Sequence, residues 1–198
     1  MKKVSFVNPN FQQGPKEYNA YYLPYSPGIV WSYVNQFDTI NQHYELGEFI
    51  WRRDPIEEAV ETLGDSDVVG FSTYIWNRAY NHVLGRELKL SNPDIFIFAG
   101  GPEPPVTDPD FFEKFPYIDI VVVQEGERCA KAILEELKKD KTTVSINDVE
   151  TIEDAYSYDM TDVINSDVHK YLISKNYFLF SRTICTSFYL DKKYKDNL

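Results

Sequence analysis

The sequence predicts an α/β fold: a Rossmann-like, flavodoxin-type parallel sheet of five strands in the order 2-1-3-4-5, with helices on both faces. Three observations predict it. Short apolar runs alternate with segments of helical periodicity, which is typical of a parallel sheet with right-handed crossovers. The third, fourth and fifth runs are continuously apolar, as expected of strands that are buried on both faces. Each of these three runs also ends in small, polar or glycine residues.

The predicted strands are short runs rich in β-branched and aromatic residues. The first is ended by Pro9, and residues 9–25 are expected to form a long loop. The second is a weaker strand candidate than the others. The five strands are predicted at residues 3–8, 45–51, 67–71, 95–99 and 118–123.

The predicted helices begin at sequences typical of helix starts. Ser26 precedes a proline and is expected to cap a helix whose apolar residues continue to Ile40. Asp54 precedes another proline in the same way, and Gly64 is suited to end that helix. Further helices are predicted from Trp76 to about Asn92, after Asp108-Pro109, and from Glu127 to Lys139.

Composition argues against several classes of function. The net charge of −11 and the pI near 4.7 come without any basic run, so nucleic acid is not an expected partner. No stretch approaches the roughly 18–20 apolar residues that span a bilayer, and the amino terminus does not resemble a signal peptide, so no membrane partner is expected. The two cysteines, Cys129 and Cys185, lie far apart, which favours a reducing, cytoplasmic location and argues against a disulfide framework.

The ends of the last three predicted strands form the candidate binding edge. In an open parallel sheet, ligands bind in the crevice at the carboxyl ends of the strands. Hydroxyl groups and flat aromatic surfaces follow the third strand, glycines follow the fourth, and carboxylates follow the fifth. The residues in question are Ser72, Thr73, Tyr74, Trp76 and Asn77, then Gly100, Gly101, Pro102 and Glu103, then Glu125, Gly126 and Glu127.

Each of these loops also has a purely structural interpretation. Ser72 or Thr73 can cap the next helix, and Trp76 is expected on the apolar face of that helix. The glycines suit a tight strand-to-helix turn, and they belong to neither a GxxxxGK[ST] nor a GxGxxG phosphate motif. Glu125 and Glu127 are favoured by the dipole of the following helix, although paired carboxylates also serve acid–base chemistry.

The histidines predict no metal site. His43, His82 and His169 stand far apart in the sequence and form neither an HxH nor an HExxH pattern. His82 is nearest to the predicted crevice, but we expect it to be exposed to solvent on its helix.

Taken together, the loops resemble the N-terminal cobalamin-binding domain of class B radical S-adenosylmethionine (SAM) enzymes. The resemblance rests on the ordered set Val69-Gly70-Phe71-Ser72-Thr73-Tyr74-Ile75-Trp76-Asn77, Gly100-Gly101-Pro102-Glu103 and Glu125-Gly126-Glu127. Asn8-Pro9 after the first strand and Asn92-Pro93 before the fourth also fit. The similarity covers roughly residues 1–140 and is sharpest between 60 and 128.

The resemblance implies a Rossmann-like domain that holds cobalamin at the carboxyl ends of its strands. By resemblance, Ser72, Thr73 and Tyr74 would contact the cofactor, residues 100–103 would line the channel of its nucleotide tail, and residues 125–127 would close the far side. Some cobalamin proteins supply a lower histidine ligand from a DxHxxG motif in the first loop. Residues 9–27 contain no histidine, so we expect no such ligand from this loop.

The sequence departs from the family pattern beyond residue 140. Relatives continue into a catalytic barrel, where a CxxxCxxC motif binds an iron–sulfur cluster. Here Cys185 is followed at the corresponding spacings by Tyr189 and Lys192, which do not ligate such a cluster. We therefore expect a cobalamin domain at residues 1–140, and a linker with the truncated start of a catalytic domain at 141–198. We expect that such a chain would not be an enzyme by itself and would hold no iron–sulfur cluster. It would either work with a separate radical SAM barrel chain or be a non-functional remnant.

Other functions remain open on this scaffold. A flavodoxin-like signalling or small-molecule-binding module is one, although Asn8-Pro9-Asn10 lacks the acidic pair that receiver domains place after the first strand. A small enzyme that uses Glu125 or Glu127 as a base is another. A nucleotide-binding or glycosyltransferase-like fragment is disfavoured because the phosphate fingerprint is missing.

Overall fold

A computed structural model describes residues 1–15, 17, 20–104, 110–122 and 125–138 of the chain. The predicted linker and catalytic-domain start at 141–198 lie outside the described residues, as do Asp108 and Pro109. Among the described residues, no helix is long and apolar enough to cross a membrane.

The described strands form a five-stranded parallel sheet and a small antiparallel pair. The sheet has the order β4-β1-β5-β6-β7, which is the predicted 2-1-3-4-5 arrangement and confirms the fold class. The strands are β1 (Lys2–Val7), β2 (Gln12–Gln13), β3 (Ala20–Tyr21), β4 (Tyr44–Ile50), β5 (Val68–Ser72), β6 (Phe96–Gly100) and β7 (Ile120–Val121). The helices are α1 (Tyr25–Val34), α2 (Asp38–Asn41), α3 (Ile56–Leu63), α4 (Arg78–Ser91), α5 (Phe111–Lys114) and α6 (Gly126–Leu137).

Alternate side chains of the strands feed two separate cores. In β6, Phe96 and Phe98 belong to one core, while Ile97 and Ala99 belong to the other, as the two-residue period of a strand requires. The first core lies under α1 and α6 and is rich in aromatic rings, including Trp31. The second lies under α3 and α4 and is largely aliphatic. Helices therefore cover both faces of the sheet, as predicted.

The predicted loop at residues 9–25 contains a short hairpin. Strands β2 and β3 pair in antiparallel fashion, with Gln12 opposite Tyr21. Tyr21 also packs its ring edge-on against Trp51, with the ring centroids 5.5 Å apart. Strands of two residues carry no periodicity, which is why the sequence pattern predicted only a loop.

Two predicted helix caps are wrong. Helix α1 starts at Tyr25 with Pro24 as its N-cap, so Ser26 lies inside the first turn rather than before it. The proline after Ser26 fits there because the first N–H groups of a helix have no intrahelical partner. Helix α3 likewise has Pro55, not Asp54, at its N-cap, without a side-chain capping bond.

The first long helix is also shorter than predicted. Apolar residues at helical spacing continue to Ile40, but α1 ends at Val34 and the short helix α2 follows. Ile40 on α2 is still fully buried in the aromatic core. The apolar pattern therefore predicted the burial of Ile40 correctly but did not predict the break between α1 and α2.

Candidate functional site

The candidate site lies where β5 and β6 end side by side. Ser72 pairs with Gly100 at the last position of the two strands, and one residue later Thr73 N donates to Gly100 O at 2.7 Å. β1 ends on the other side of β5, and Asn8 after it donates its backbone N–H to Ile50 O at 2.8 Å. Parallel strands thus bring the loops after β1, β5 and β6 to one edge of the sheet.

Asn77 holds the loop after β5 together. Its side chain is fully buried at 0% exposure, and its Oδ1 accepts the backbone N–H of Tyr74 at 2.8 Å. Its Nδ2 donates to Ser72 O at 3.0 Å and to Asn8 Oδ1 at 3.3 Å. Asn77 is the N-cap residue of α4, but its side chain turns back onto the loop instead of capping the helix. It therefore ties the loop after β5 to the loop after β1.

An aromatic pair projects from this loop. Tyr74 and Trp76 stack with their ring centroids 4.5 Å apart and their planes 10° from parallel. Trp76 is 42% exposed and Ile75 between them is 72% exposed. The prediction that Trp76 lies on the apolar face of α4 is wrong, because the helix begins only at Arg78. The backbone carbonyl of Trp76 instead accepts a hydrogen bond from Arg53.

A group of hydroxyls lies beside the aromatic pair. Ser26 Oγ is 3.2 Å from Tyr74 Oη and 3.4 Å from Ser72 Oγ, so the first turn of α1 contacts the loop after β5. Ser26, Ser72 and Tyr74 are half-buried, whereas Thr73 is buried. The sequence pattern assigned Ser26 to helix capping, because its contacts with residues more than 40 positions away have no local signature.

The loop after β6 packs directly on Thr73. Gly101 has a φ of +105°, and a Cβ at this residue would lie 2.4 Å from Thr73 O. The same carbonyl accepts the backbone N–H of Glu103 at 3.3 Å, and the carboxylate of Glu103 pairs with Arg78. Pro102, at the tip, is exposed. Only glycine suits residue 101, because both its φ and its distance from Thr73 exclude a side chain.

The third predicted group lies at the start of α6. Glu125 is the N-cap residue in an extended conformation, and Gly126 begins the helix against α1, where a Cβ would lie 3.2 Å from Val30 Cγ2. Burial raises the pKa of Glu127, and the charge of Glu125 also raises it, while N–H groups of its own turn act in the opposite direction. Burial likewise raises the pKa of the Cys129 thiol. A carboxyl group with a raised pKa is compatible with both ligand binding and acid–base chemistry.

The structure thus arranges the predicted residues in two groups. The loops after β1, β5 and β6 are joined by hydrogen bonds through Asn8, Thr73 and Asn77. Pro9 is buried beside Asn8. The second group, at residues 125–127, begins α6, which packs on α1. The sequence interpretation missed Asn81, although its four-residue spacing from Asn77 places it one helical turn further along α4.

His82 is not exposed as the sequence interpretation expected. It stacks on Phe115 with ring centroids 4.0 Å apart, and its Nδ1 lies 2.8 Å from Tyr117 Oη. Burial lowers its pKa, and Arg78 lowers it further, against the opposing effect of Glu103. The covering rings come from the crossover after β6, so nothing in the sequence around His82 indicates them. Among the described residues, no three His, Cys, Asp or Glu side chains gather as a metal-binding group.

Comparisons with known proteins give this arrangement a family. A family model described as the B12 binding domain matches residues 37–134, which include the loops after β5 and β6 and the start of α6. The chain is 31% identical over 133 residues to the cobalamin-dependent radical SAM methyltransferase TokK of Streptomyces tokunonensis, covering 67% of this chain and 18% of that protein. It is also 31% identical over 119 residues to the 2-(S-pantetheinyl)-carbapenam-3-carboxylate methyltransferase of Streptantibioticus cattleyicolor, covering 60% of this chain and 18% of that protein.

The similarity to these relatives is confined to one part of them, since the aligned region spans less than a fifth of the length of each. The matched segment of this chain contains four strands of the parallel sheet and most of the candidate site. The family match, the sheet order and the two methyltransferase relatives identify residues 37–134 of this chain as a B12-binding domain.

Proposed function

We propose that this chain binds cobalamin on the surface formed by the loops after β5 and β6, and that Ser72, Tyr74 and Trp76 contact it. The observation that supports this most is that these two loops are already fixed to each other through Thr73. The stacked pair of half-buried Tyr74 and exposed Trp76 lies beside them. A ligand binds more tightly to a surface that needs no ordering. The family match of residues 37–134 makes cobalamin the ligand to test.

The exposed groups of this surface fit the chemistry of cobalamin. A corrin ring is broad and flat, and it carries polar amide groups around its rim. The stacked Tyr74 and Trp76 rings and the exposed Ile75 offer apolar area, and the hydroxyls of Ser26 and Ser72 offer hydrogen bonds. Ligand sites typically combine apolar surface with a few placed polar groups. When bound, cobalamin supplies a cobalt centre that is able to carry a methyl group.

The buried members of the predicted site have a different role in this proposal. Asn8, Thr73 and Asn77 are each buried and bonded inside the protein, so their side chains shape the loops rather than touch the ligand. Residues 100–102 offer backbone surface at the tip of the loop after β6. Glu103 is paired with Arg78 and holds the side of that loop. Residues 125–127 flank the surface from the start of α6.

Cobalt receives no histidine from the described residues in this proposal. His43 precedes β4 at the amino edge of the sheet, where its carbonyl accepts the N–H of Lys2 at 2.8 Å. His82 is held between Phe115 and Tyr117 beside α5. We therefore expect that no histidine of the described residues contributes a ligand signature to the visible spectrum of bound cobalamin.

We further propose that the cobalamin held here serves a radical SAM barrel, in the same polypeptide or in a separate chain. The two relatives are methyltransferases much longer than the region they share with this chain, and one is named as a radical SAM enzyme. The thiolates of the iron–sulfur cluster would come from that barrel, because Cys129 is buried on α6 and Cys185 is not followed by the other cysteines of a CxxxCxxC motif.

The test of cobalamin binding is a titration of the purified protein with hydroxocobalamin, followed by desalting and visible absorption. We expect about one equivalent of corrin to remain with the protein, because a single family domain forms a single site. The positions of the absorption bands then report the axial ligands. A folded protein that retains no corrin in hydroxo, methyl or adenosyl form would contradict the proposal.

A second candidate function is acid–base chemistry by Glu127, and the raised pKa of its carboxyl group favours it. Replacing Glu127 by Gln removes the titratable proton while keeping most of the shape of the side chain. Loss of a turnover found with the wild-type chain, with cobalamin binding intact, would support this function. An unchanged turnover would remove it.

A further inference from the structure

We propose that Asn81 is a positioning residue that locks the loops after β5 and β6 onto each other; its effect on ligand binding rests on the cobalamin function proposed above. Asn81 lies in the first turn of α4, one turn after Asn77, and is only 4% exposed. It does not reach the exposed surface beside Trp76. Asn81 can therefore affect ligand binding only indirectly, by positioning the residues it contacts.

The amide nitrogen of Asn81 faces acceptors of the loop after β5. Nδ2 lies 3.1 Å from Thr73 Oγ1, 3.4 Å from Ser72 O and 3.5 Å from Asn77 Oδ1. The reversed amide orientation would turn Oδ1 toward the Ser72 and Asn77 oxygens, and two acceptors repel each other. The loop therefore fixes which side of the amide faces it.

The other end of the same amide is left unsatisfied. Asn81 Oδ1 is buried and has no hydrogen-bond partner within the part of the chain that the structure describes. An unpaired buried carbonyl costs stability, whereas an apolar side chain of similar shape carries no such cost. The side chain of Asn81 therefore adds less to global stability than an apolar side chain of similar shape would add. What it supplies is N–H groups to the loop after β5.

Thr73 links the Asn81 contact to the loop after β6. Its backbone N–H donates to Gly100 O at 2.7 Å, and its carbonyl accepts the N–H of Glu103 at 3.3 Å. Gly101 packs against the same carbonyl. Asn81 holds the side chain of the residue whose backbone makes all three contacts, so one side chain on α4 controls the fit between the two loops.

The test compares Asn81→Leu with the wild type and with Asn92→Leu as a matched control. Asn92 lies at the other end of α4, where its side chain bonds to Gly64 O and to the N–H of Asp94. Hydrogen exchange of the Thr73 and Glu103 amides in cobalamin-free protein reports loop fixation directly, and urea unfolding reports global stability. A hydroxocobalamin titration then reports the effect on binding.

We expect Asn81→Leu to speed exchange of the two amides by about tenfold and to raise the Kd for hydroxocobalamin by a similar factor. Its unfolding midpoint should stay close to that of the wild type, because loss of the unpaired carbonyl is favourable and loss of the donor to Thr73 Oγ1 is unfavourable. Asn92→Leu should leave both loop amides and the Kd unchanged. Wild-type exchange rates and Kd in Asn81→Leu would overturn the proposal.

The outcomes also separate this proposal from the proposed function. If the wild type binds no cobalamin, the proposed function is wrong, while the exchange rates still test the positioning role.

If Asn81→Leu does not fold, Thr73→Val removes the same hydrogen bond from the acceptor side with a smaller change. Faster exchange of the Glu103 amide in Thr73→Val supports the proposal, and unchanged exchange overturns it.

Discussion

The loop after β5 and the start of α6 lie at the same edge of the sheet but use their polar groups differently. In the loop, the side chain of Asn77 bonds to Tyr74 N, Ser72 O and Asn8, so the backbone shape is fixed before any ligand arrives. At the start of α6, the half-buried Glu127 carboxyl has a raised pKa, because burial and the neighbouring Glu125 both disfavour its charge. In the loop after β5 the polar groups fix the backbone conformation, whereas the start of α6 retains a titratable carboxyl group.

The largest expected effect disturbs the loop after β5 through Gly101, which lies in the loop after β6 and packs on Thr73. Gly101→Ala places a Cβ against Thr73 O at a φ of +105°, so we expect a loss of about 3 kcal/mol in the free energy of unfolding. Urea unfolding measures it. Gly14→Ala is the control, because Gly14 also has a positive φ, of 68°, but nothing within 4 Å of the added Cβ. Equal losses in the two variants would show that the contact with Thr73 is unimportant.

The next effect removes the hydrogen bonds of the same region. Asn77→Ala leaves buried groups of the loops after β1 and β5 without their partner, so we expect a loss of about 2 kcal/mol in unfolding free energy. Asn41→Ala is the control, since the amide of Asn41 makes exposed contacts, with Asn35 and Asp38. The prediction fails if the two alanine variants unfold at the same urea concentration.

A smaller effect is expected at Trp76, on the exposed surface of the loop after β5. Trp76→Ala should raise the Kd for hydroxocobalamin by about tenfold, because it removes half of the stacked pair, while global stability changes little. Leu90→Ala is the matched control, since Leu90 is 71% exposed near the far end of α4. Equal Kd values in all three proteins would place the ligand away from Trp76.

The smallest effect concerns the second region and its charge. The pKa of Glu127 is higher in the folded than in the unfolded chain, so the folded state binds the proton more tightly. Its contribution to stability is therefore present below the unfolded pKa and is lost as pH rises to the folded pKa. Glu127→Gln should unfold at slightly higher urea than the wild type at neutral pH, and the gain should vanish as pH falls below the unfolded pKa.

The control for this prediction is Glu113→Gln, at an exposed position of α5. At neutral pH it should unfold at the same urea concentration as the wild type, because its side chain is exposed. A Glu127→Gln variant that loses stability at neutral pH would mean that the charge interacts favourably with the start of α6, and the contrast between the two regions would then disappear.

Much of the fold followed from the sequence because its signals are local. Alternating apolar runs and helical segments predicted the sheet, and the rule that ligands bind at carboxyl ends predicted the edge. The contacts that shape the edge are not local. The bond between Asn77 and Asn8 joins residues 69 positions apart, and His82 is covered by rings from more than 30 positions away. No pattern around either residue encodes its partner.

The wrong helix starts have a related cause. A serine before a proline is a typical helix start, but the same dipeptide also suits the first turn itself, as in α1. Only packing decides between the two, and here Ser26 lies where its hydroxyl meets Ser72 and Tyr74. Capping signals therefore located the helices to within a turn but misassigned the role of the side chain.

The contrast in burial between Trp31 and Trp76 gives this protein its own optical probe. Trp31 lies inside the aromatic core, where its indole emission is shielded from water, whereas Trp76 stands exposed at the candidate site and the third tryptophan, Trp51, is half-buried. A coloured ligand that settles beside Trp76 would quench the red-shifted, solvent-exposed part of the fluorescence more strongly than the blue-shifted part. The intrinsic emission spectrum therefore reports, without any label, where on the protein such a ligand has come to rest.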